Sequence, residues 1–532
     1  EVEREEHAGL SKAMEKSYIL AHDLGTSGNK AALFSEDGTL VGSCFAGYTT
    51  CYPAPGWAEQ SQEDWWNAVV RSTRELLEKF PGESKQIAAV SFSAQMMCCS
   101  PVDREGNPLF QGIIWSDQRA DEQKEYLAEL VDNKTSYTVT GTVMVANYLA
   151  AKALWLKKHY PDVYKRTYKF LQVKDYIIHK LTGKFVTDYS DASGTNLFDI
   201  REKKWSRDII RAAGLNEDKL PDAVSSTTVV GKVSAEAAEA TGLSEGVPVV
   251  AGGGDGPCAT VGAGASESGK CYNVFGTSAW NAVTAAEPLY DREQRTFILH
   301  HLDENLYMTV GSMQSAGGSF EWLHDWIGST EGLLAPHIGL SSYELLSLEA
   351  EKAAPGSAGA LFLPYLMGER SPYWDSEVKG AFLGLNRRVG RPEMIRSVLE
   401  GAVFHLKLIL DILEESAGTI EEVRLIGGGN KSRFLNRLMT DIWEKPVAVM
   451  EVLEEATSLG AAIAGFVGTG VYSSFQEAEK LIREERREYP EKEKTALYRG
   501  PYEVFKEAYG ALAQVNRKID RWLRTDTPQN RG

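Results

Sequence analysis

An α/β fold in two large halves is what this sequence predicts, and three observations predict it. At 532 residues the chain exceeds one hydrophobic core, since cores stop growing near roughly 250 to 300 residues. An apolar strand ending in a polar glycine turn occurs at Asp23 to Lys30, and the pattern returns at Lys270 to Ser278. A strand, a glycine cluster and a helix then follow one another from Val423 to Trp443. The echo between the two glycine turns puts the junction of the halves near residue 262.

The elements follow in order. Tyr18 to Leu24, Lys30 to Phe34 and Leu40 to Cys44 are apolar runs separated by glycine turns, the pattern of a three-stranded meander. Trp65 to Phe80 has helical spacing, and Ile87 to Phe92 and Gly112 to Trp115 read as strands. The stretch 234–264 passes through a helix, a turn and the buried strand Val247 to Ala251 into a glycine cluster. Ile395, Val398, Leu399, Ala402, Val403, Leu406, Ile409 and Leu413 recur at helical spacing and mark one long helix. The strand Val423 to Ile426 ends in Gly427–Gly429 and leads into a helix from Ser432 to Trp443, whose amide-rich start favours anions. The charged run Glu484 to Lys494 reads as solvated surface.

Composition narrows the class. The chain is 43% hydrophobic and 25% charged, as ordinary globular proteins are. A formal charge of −17 disfavours nucleic acid as a partner. The opening EVEREEHAGLSKAMEK lacks the apolar centre of a signal peptide, and no stretch offers about 20 apolar residues for a membrane span, so a cytoplasmic location is expected. The six cysteines form no CxxC pair and are expected as buried free thiols, and the nine histidines are scattered, so no transition metal is implied. No role is assigned to the residues before Ser17 or after Arg524.

Four segments hold residues suited to chemistry. In Asp23-Leu24-Gly25-Thr26-Ser27-Gly28-Asn29-Lys30 the glycines allow a phosphate to approach the backbone, and Thr26 and Ser27 donate hydrogen bonds. Lys30 brings positive charge there, and Asp23 can hold Mg2+ through its waters. The same residues would serve an ordinary hairpin tip, and they are not the GxxxxGK[ST] loop of P-loop enzymes. Gly252-Gly253-Gly254-Asp255 ends a strand in an aspartate able to take a proton from an attacking hydroxyl, or simply to cap the next helix. Trp115-Ser116-Asp117-Gln118-Arg119 and Gln95-Met96-Met97 offer carboxylate, guanidinium, amide and flat apolar groups for a polyhydroxylated ligand. Surface ion pairing and core packing are their plainer uses.

Taken together, these segments resemble the FGGY carbohydrate kinase family, in its xylulokinase-like branch. DLGTSGNK, PGWAEQ, WSDQR, VKDY, TDYSDASGT, GGGD, GTS, SAGGS, FLPYLMGERSPYWD and GGGNKS stand in the family's order, and Gly380 to Glu400 is similar to its second signature. The resemblance spans roughly residues 17–515. It implies two actin-like, ribonuclease H-like ATPase domains, 17–262 binding sugar and 263–515 binding nucleotide, with a deep cleft between them. It implies ATP and Mg2+, a phosphate transferred to a sugar or polyol hydroxyl, closure of the domains against water, and by analogy a homodimer. By motif, Asp255 would be the general base and Asp23 would assist Mg2+, with Asp255 beside the same ion. Gly25, Thr26, Ser27, Lys30, Gly276 and Thr277 would face the phosphates. Gly317, Gly428, Gly429 and Asn430 would line the adenosine end. Gln95, Met96, Met97, Trp115, Asp117, Arg119, Asp255 and Gly256 would meet the acceptor.

Two departures bear on the acceptor. Xylulokinases usually carry Met-His where this chain has Met96-Met97, and family members often follow the base with Gln or Asn where it has Gly256. Fewer polar partners imply an acceptor with fewer or differently placed hydroxyls, among pentuloses, tetruloses, deoxy sugars and polyols. The alternative is a non-catalytic, sugar-responsive or actin-like ATPase of the same fold. An acetate-kinase-like enzyme acting on a carboxylate finds no support in the motifs.

Overall fold

The computed structural model describes residues 17–526. The segment before Ser17 and the tail beyond Asp526 lie outside the described residues. Two seven-stranded sheets carry the fold. In the first, β1 (Tyr18–Leu24), β2 (Gly28–Ser35) and β3 (Leu40–Gly47) form the antiparallel meander that the turns dictate. β4 (Ile87–Ala94) lies parallel to β1, β6 (Pro248–Val250) lies parallel to β4, and β5 (Val229–Lys232) closes the edge antiparallel to β6. The two-residue strand Gly253–Gly254 pairs with the end of β4.

The second sheet repeats this plan. β7 (Cys271–Phe275), β8 (Ala279–Ala285) and β10 (Tyr307–Met313) form an antiparallel meander, with β9 (Phe297–His300) added outside β10. β11 (Val423–Ile426) lies parallel to β7, β12 (Val447–Met450) parallel to β11, and β13 (Glu484–Glu488) antiparallel at the edge. The order meander, two parallel strands, antiparallel edge is thus common to both halves, and the two glycine turns, 25–27 and 276–278, occupy the same place in each. This is the two-domain α/β, actin-like plan.

Local chemistry moves several boundaries. The helix expected from Trp65 is α1 (Gln62–Lys79) and begins a turn earlier, because the Ser61 side chain accepts from the Asp64 amide and caps it. Of Gly112 to Trp115 only Gly112–Ile113 is strand, paired with Glu59–Gln60. The charged run at Glu484 is partly the edge strand β13, where alternating charges suit a strand with one open side. Cys51 is exposed, unlike the other five cysteines, and all six are free. Among the described residues no helix is long and apolar enough to cross a membrane.

The halves meet at crossed helices. α2 (Asp255–Gly262) leaves the first sheet; in the second half α4 (Arg391–Ala417) and α5 (Arg433–Trp443) precede α6 (Ala456–Gly468), which returns to pack on β1 and β4. Ile19, Ala21, Phe34 and Ala89 of the first sheet share one core with Leu459, Ile463 and Phe466 of α6. The crossing is close enough to require glycine on both sides. A Cβ on Gly262 would lie 1.8 Å from the Ala456 carbonyl oxygen, and one on Gly460 would lie 2.0 Å from that of Cys258. Gly262→Ala is therefore expected to cost about 3 kcal/mol in urea unfolding, because backbone rather than side chain must move. A loss under about 1 kcal/mol would show that the helices separate freely.

Candidate active site

Asp255 is the first residue of α2, placed at the mouth of the cleft by the extended Gly253–Gly254 pair. Burial pushes its carboxyl up to about 7, against the Gly256 amide that hydrogen-bonds it at 2.8 Å, and the charge of Asp23 pushes the same way. Asp23, near the end of β1, is also raised by burial. The hydrogen bond from Thr457 and the charge of Lys30 act in the opposite direction. The Thr457 hydroxyl donates to Asp23 at 2.7 Å, and Lys30 pairs with Glu455 at 3.6 Å, so the amino-terminal hairpin is fastened to the start of α6.

A cavity of about 140 Å³ opens at Asp255. Of the residues expected at the acceptor, Met96, Met97, Trp115, Asp255 and Gly256 line it. Asp117, Arg119 and Gln95 do not. Asp117 is fully buried and accepts from the Ala58 amide at 2.6 Å and from the Arg119 guanidinium at 2.7 Å. Arg119 also reaches Glu59 at 2.7 Å and lies 3.9 Å from the Trp57 ring centroid and 4.9 Å from that of Trp155. PGWAEQ and WSDQR thus close on each other as an internal knot, which leaves neither charge for a ligand. Gln95 donates to the Gln60 side chain at 2.9 Å and to the Gly25 carbonyl at 3.3 Å, bracing the hairpin from behind.

A second cavity, of about 540 Å³, lies on the other side of the 276–278 turn. Gly276, Thr277, Gly317, Gly428 and Gly429 line it, together with Phe320, Tyr343 and Lys431. The amides of Ala316 and Gly318 bond the Thr277 carbonyl at 3.0 and 2.9 Å, and that of Gly317 bonds the Gly276 carbonyl at 2.9 Å, which fixes the turn against α3 (Gly317–Ile327). Gly427 ends β11 at φ +91, a left-handed conformation that lets the chain pass the Phe275 backbone. Asn430 does not reach this cavity. It is buried, donating to the Ile426 carbonyl at 2.6 Å, while its own carbonyl accepts from Asn436 at 2.9 Å. Gly25, Thr26, Ser27 and Lys30 are also absent from its lining. They lie on the hairpin beside Asp23, where the Thr26 hydroxyl accepts from the Trp115 indole at 2.9 Å.

Sequence reasoning missed several groups. Arg370 lines the smaller cavity, yet it was visible only as part of the GERSP motif. Its loop is pinned: the Glu369 carboxylate accepts from the Gln314 and Arg370 amides at 2.8 Å each, and the Ser371 amide donates to the Ser312 carbonyl at 3.0 Å. Behind Asp255, the fully buried Lys174 meets Asp175, Asp188 and Asp191 at 2.8, 2.9 and 3.2 Å. Asp188 accepts from the Ser190 hydroxyl at 2.5 Å, and the Ser190 oxygen accepts the Gly254 amide at 3.1 Å, so this cluster is tied to the strand that leads into Asp255.

Lys152 supports the opposite wall. Its buried ammonium donates to the carbonyls of Met97, Ile114 and Ile113 at 2.8, 2.7 and 3.3 Å, holding Met97 at φ +64, where a non-glycine backbone is rarely stable. Burial pulls Lys152 down to about 8, while Cys98, Asp117 and Cys99 oppose the shift and Arg119 adds to it. Lys152→Met should raise the acceptor KM by about tenfold or more, as expected when a site loses its supporting shell, and leave the ATP KM unchanged. In the parent protein the acceptor KM should climb as pH passes about 8. Equal changes in both KM values would mean that Lys152 serves general stability alone.

Two cavities on either side of one glycine turn, with a carboxyl of raised pKa at the smaller, also have close relatives. Residues 18–262 match the FGGY family of carbohydrate kinases, N-terminal domain, and residues 271–469 match its C-terminal domain. A gluconokinase of Bacillus licheniformis is 31% identical over 510 residues, covering 96% of this chain and 99% of the relative. A xylulose kinase of Bacillus subtilis is 31% identical over 500 residues, covering 94% of this chain and 98% of the relative. The ligand-bound crystal structure of a xylulose kinase from Lactobacillus acidophilus superimposes with a TM-score of 0.88 at 27% identity, covering 94% of this chain and all of that one. Both domains matched in order, relatives aligned over nearly their whole length and a shared fold lead to one conclusion: the chain belongs to the FGGY family of carbohydrate kinases.

Proposed function

We propose that ATP occupies the 540 Å³ cavity and a small sugar or polyol the 140 Å³ cavity, and that the γ-phosphate passes between them over the 276–278 turn. The single observation that carries this reading is that Gly276 and Thr277 line one cavity and Ser278 the other, beside Asp255. Asp255 takes the proton of the acceptor hydroxyl as its oxygen bonds to phosphorus. The bond from the γ-phosphorus to the bridging oxygen breaks, and ADP leaves with that oxygen. A carboxyl near 7 is half ionised at neutral pH and so is matched to this task.

Mg2+ suits the donors present. The charge of Asp23 reaches Asp255 and raises its carboxyl, so two carboxylates share one place beside the hairpin turn. That agrees with an ion held by one or two carboxylates and nucleotide phosphates, where it neutralises charge on the transferring group. Asp23 would hold it through water, with Asp255 beside it.

The relatives' names point to xylulose and gluconate as acceptors to try. The test is ATP-to-ADP turnover with magnesium against ketopentoses, tetruloses, polyols, glycerol and gluconate, with Asp255→Ala as control. Turnover with one acceptor that vanishes in the variant is the expected result. Slow hydrolysis indifferent to every acceptor would overturn the reading in favour of a sensor.

A further inference from the structure

The far wall of the acceptor cavity is a sheet face and follows the two-residue period of its strands. On β10, Met308, Val310 and Ser312 alternate inward; on β9, Phe297 pairs across to Val310 and Leu299 to Met308. Trp280 on β8 sits opposite Ser312. Four neighbouring side chains of this wall are therefore purely apolar, and the polar groups gather at one end. There Ser312 is 5% exposed, and its hydroxyl finds no hydrogen-bond partner among the described residues. The Arg370 guanidinium, one backbone hydrogen bond away through Ser371 and Ser312, makes no hydrogen bond or ion pair among them either. Its contact is with the Trp115 ring, 5.5 Å from the centroid. A buried strand hydroxyl without a partner, beside a half-buried guanidinium on a pinned loop, is arranged for a ligand oxygen, whereas the rest of the strand pair can satisfy no hydroxyl placed against it.

We propose that the preferred acceptor is a small deoxy ketose. Its carbonyl oxygen would lie between Ser312 and Arg370, its reacting hydroxyl at Asp255, and a methyl or methylene in place of a hydroxyl against Phe297, Leu299, Met308 and Val310. The inference rests on the kinase reading above and adds the class of acceptor. The transfer is unchanged: the acceptor hydroxyl gives its proton to Asp255 and gains the γ-phosphoryl group, and ADP departs. Every hydroxyl that the acceptor lacks at the wall spares a desolvation that nothing there would repair.

The test is a set of matched pairs: D-xylulose against its 1-deoxy analogue, and D-erythrulose against 3,4-dihydroxybutan-2-one. Each is assayed for kcat/KM with MgATP and for binding by tryptophan fluorescence without nucleotide. The expected result is that the deoxy member of a pair exceeds its parent at least tenfold in both readouts. Leu299→Asn and Met97→His, each adding a polar group to the lining, should shrink or reverse that ratio, and two variants protect against one that fails to fold. Parents equal to or better than their deoxy partners would overturn the proposal and leave the kinase standing. Tenfold tighter deoxy binding without turnover would support the pocket and sink the kinase reading. Neither binding nor turnover by any of the four would overturn the proposal, and the kinase reading would then stand or fall on the wider acceptor panel.

Discussion

Asp255→Asn should abolish phosphoryl transfer and, above neutral pH, make the protein more stable. The amide cannot take the proton of the acceptor hydroxyl, and losing a positioned general base lowers kcat by about 10² to 10⁴. The stability effect follows from the same burial. A carboxyl raised from 3.8 to about 7 by folding lends stability that is fully present below 3.8, where both states are protonated, and lost as pH rises through about 7. Above that pH the ionised group costs up to about 4 kcal/mol. Parent and variant should therefore unfold at similar urea concentrations near pH 4, with the variant ahead at pH 8. A variant no more stable than the parent at pH 8 would show that the cleft solvates Asp255 well, and would take away the reason for its raised pKa.

Lys174→Met should be the most damaging single change away from the substrates. Burial alone would lower the pKa of Lys174, but Asp175, Asp188 and Asp191 outweigh it and hold the ammonium charged. Burial and the neighbouring Asp175 and Asp188 push Asp191 well above the ordinary carboxylate range, and the charge of Lys174 opposes them. Removing the one cation leaves buried aspartates facing each other, a loss of about 3 to 5 kcal/mol by comparison with other broken buried pairs. The damage should reach activity too, since Asp188 holds Ser190 and Ser190 holds the Gly254 amide next to the base. Urea unfolding of Lys174→Met and of the double variant K174M/D191N tests this. The second substitution should recover part of the loss, and a single variant within about 1 kcal/mol of the parent would show that water relieves the cluster.

The legible parts of the sequence were those whose cause is local. The β1–β2–β3 meander and the β7–β8 turn are fixed by glycines between apolar runs. The long helix Arg391–Ala417 is fixed by a period that outruns any strand. Asp255 stood out because three glycines precede it. What could not be read was where side chains go once distant segments meet. Asp117 and Arg119 have the chemistry of a sugar site, but Trp57 and Glu59, some 60 positions earlier, turn them inward. Asn430 follows the glycines of the 427–429 turn, yet its amide is taken by the strand it leaves. The wall of Phe297, Leu299, Met308 and Val310 looks like any alternating strand pair until the fold sets it opposite Met96 and Met97.

The return of α6 to the first sheet also sets the order in which this protein can be made. The apolar face of β1, β2 and β4 is complete by residue 94, but Leu459, Ile463 and Phe466 leave the ribosome more than 360 residues later. At about 5 to 20 residues per second that face waits unsatisfied for at least about 18 seconds. A nascent chain in that state needs shielding, and a fragment ending near residue 262 should be captured by holdase chaperones or aggregate rather than fold alone. The two halves repeat one plan, but they mature as a single cooperative unit, with the last third of the chain acting as the first third's missing layer.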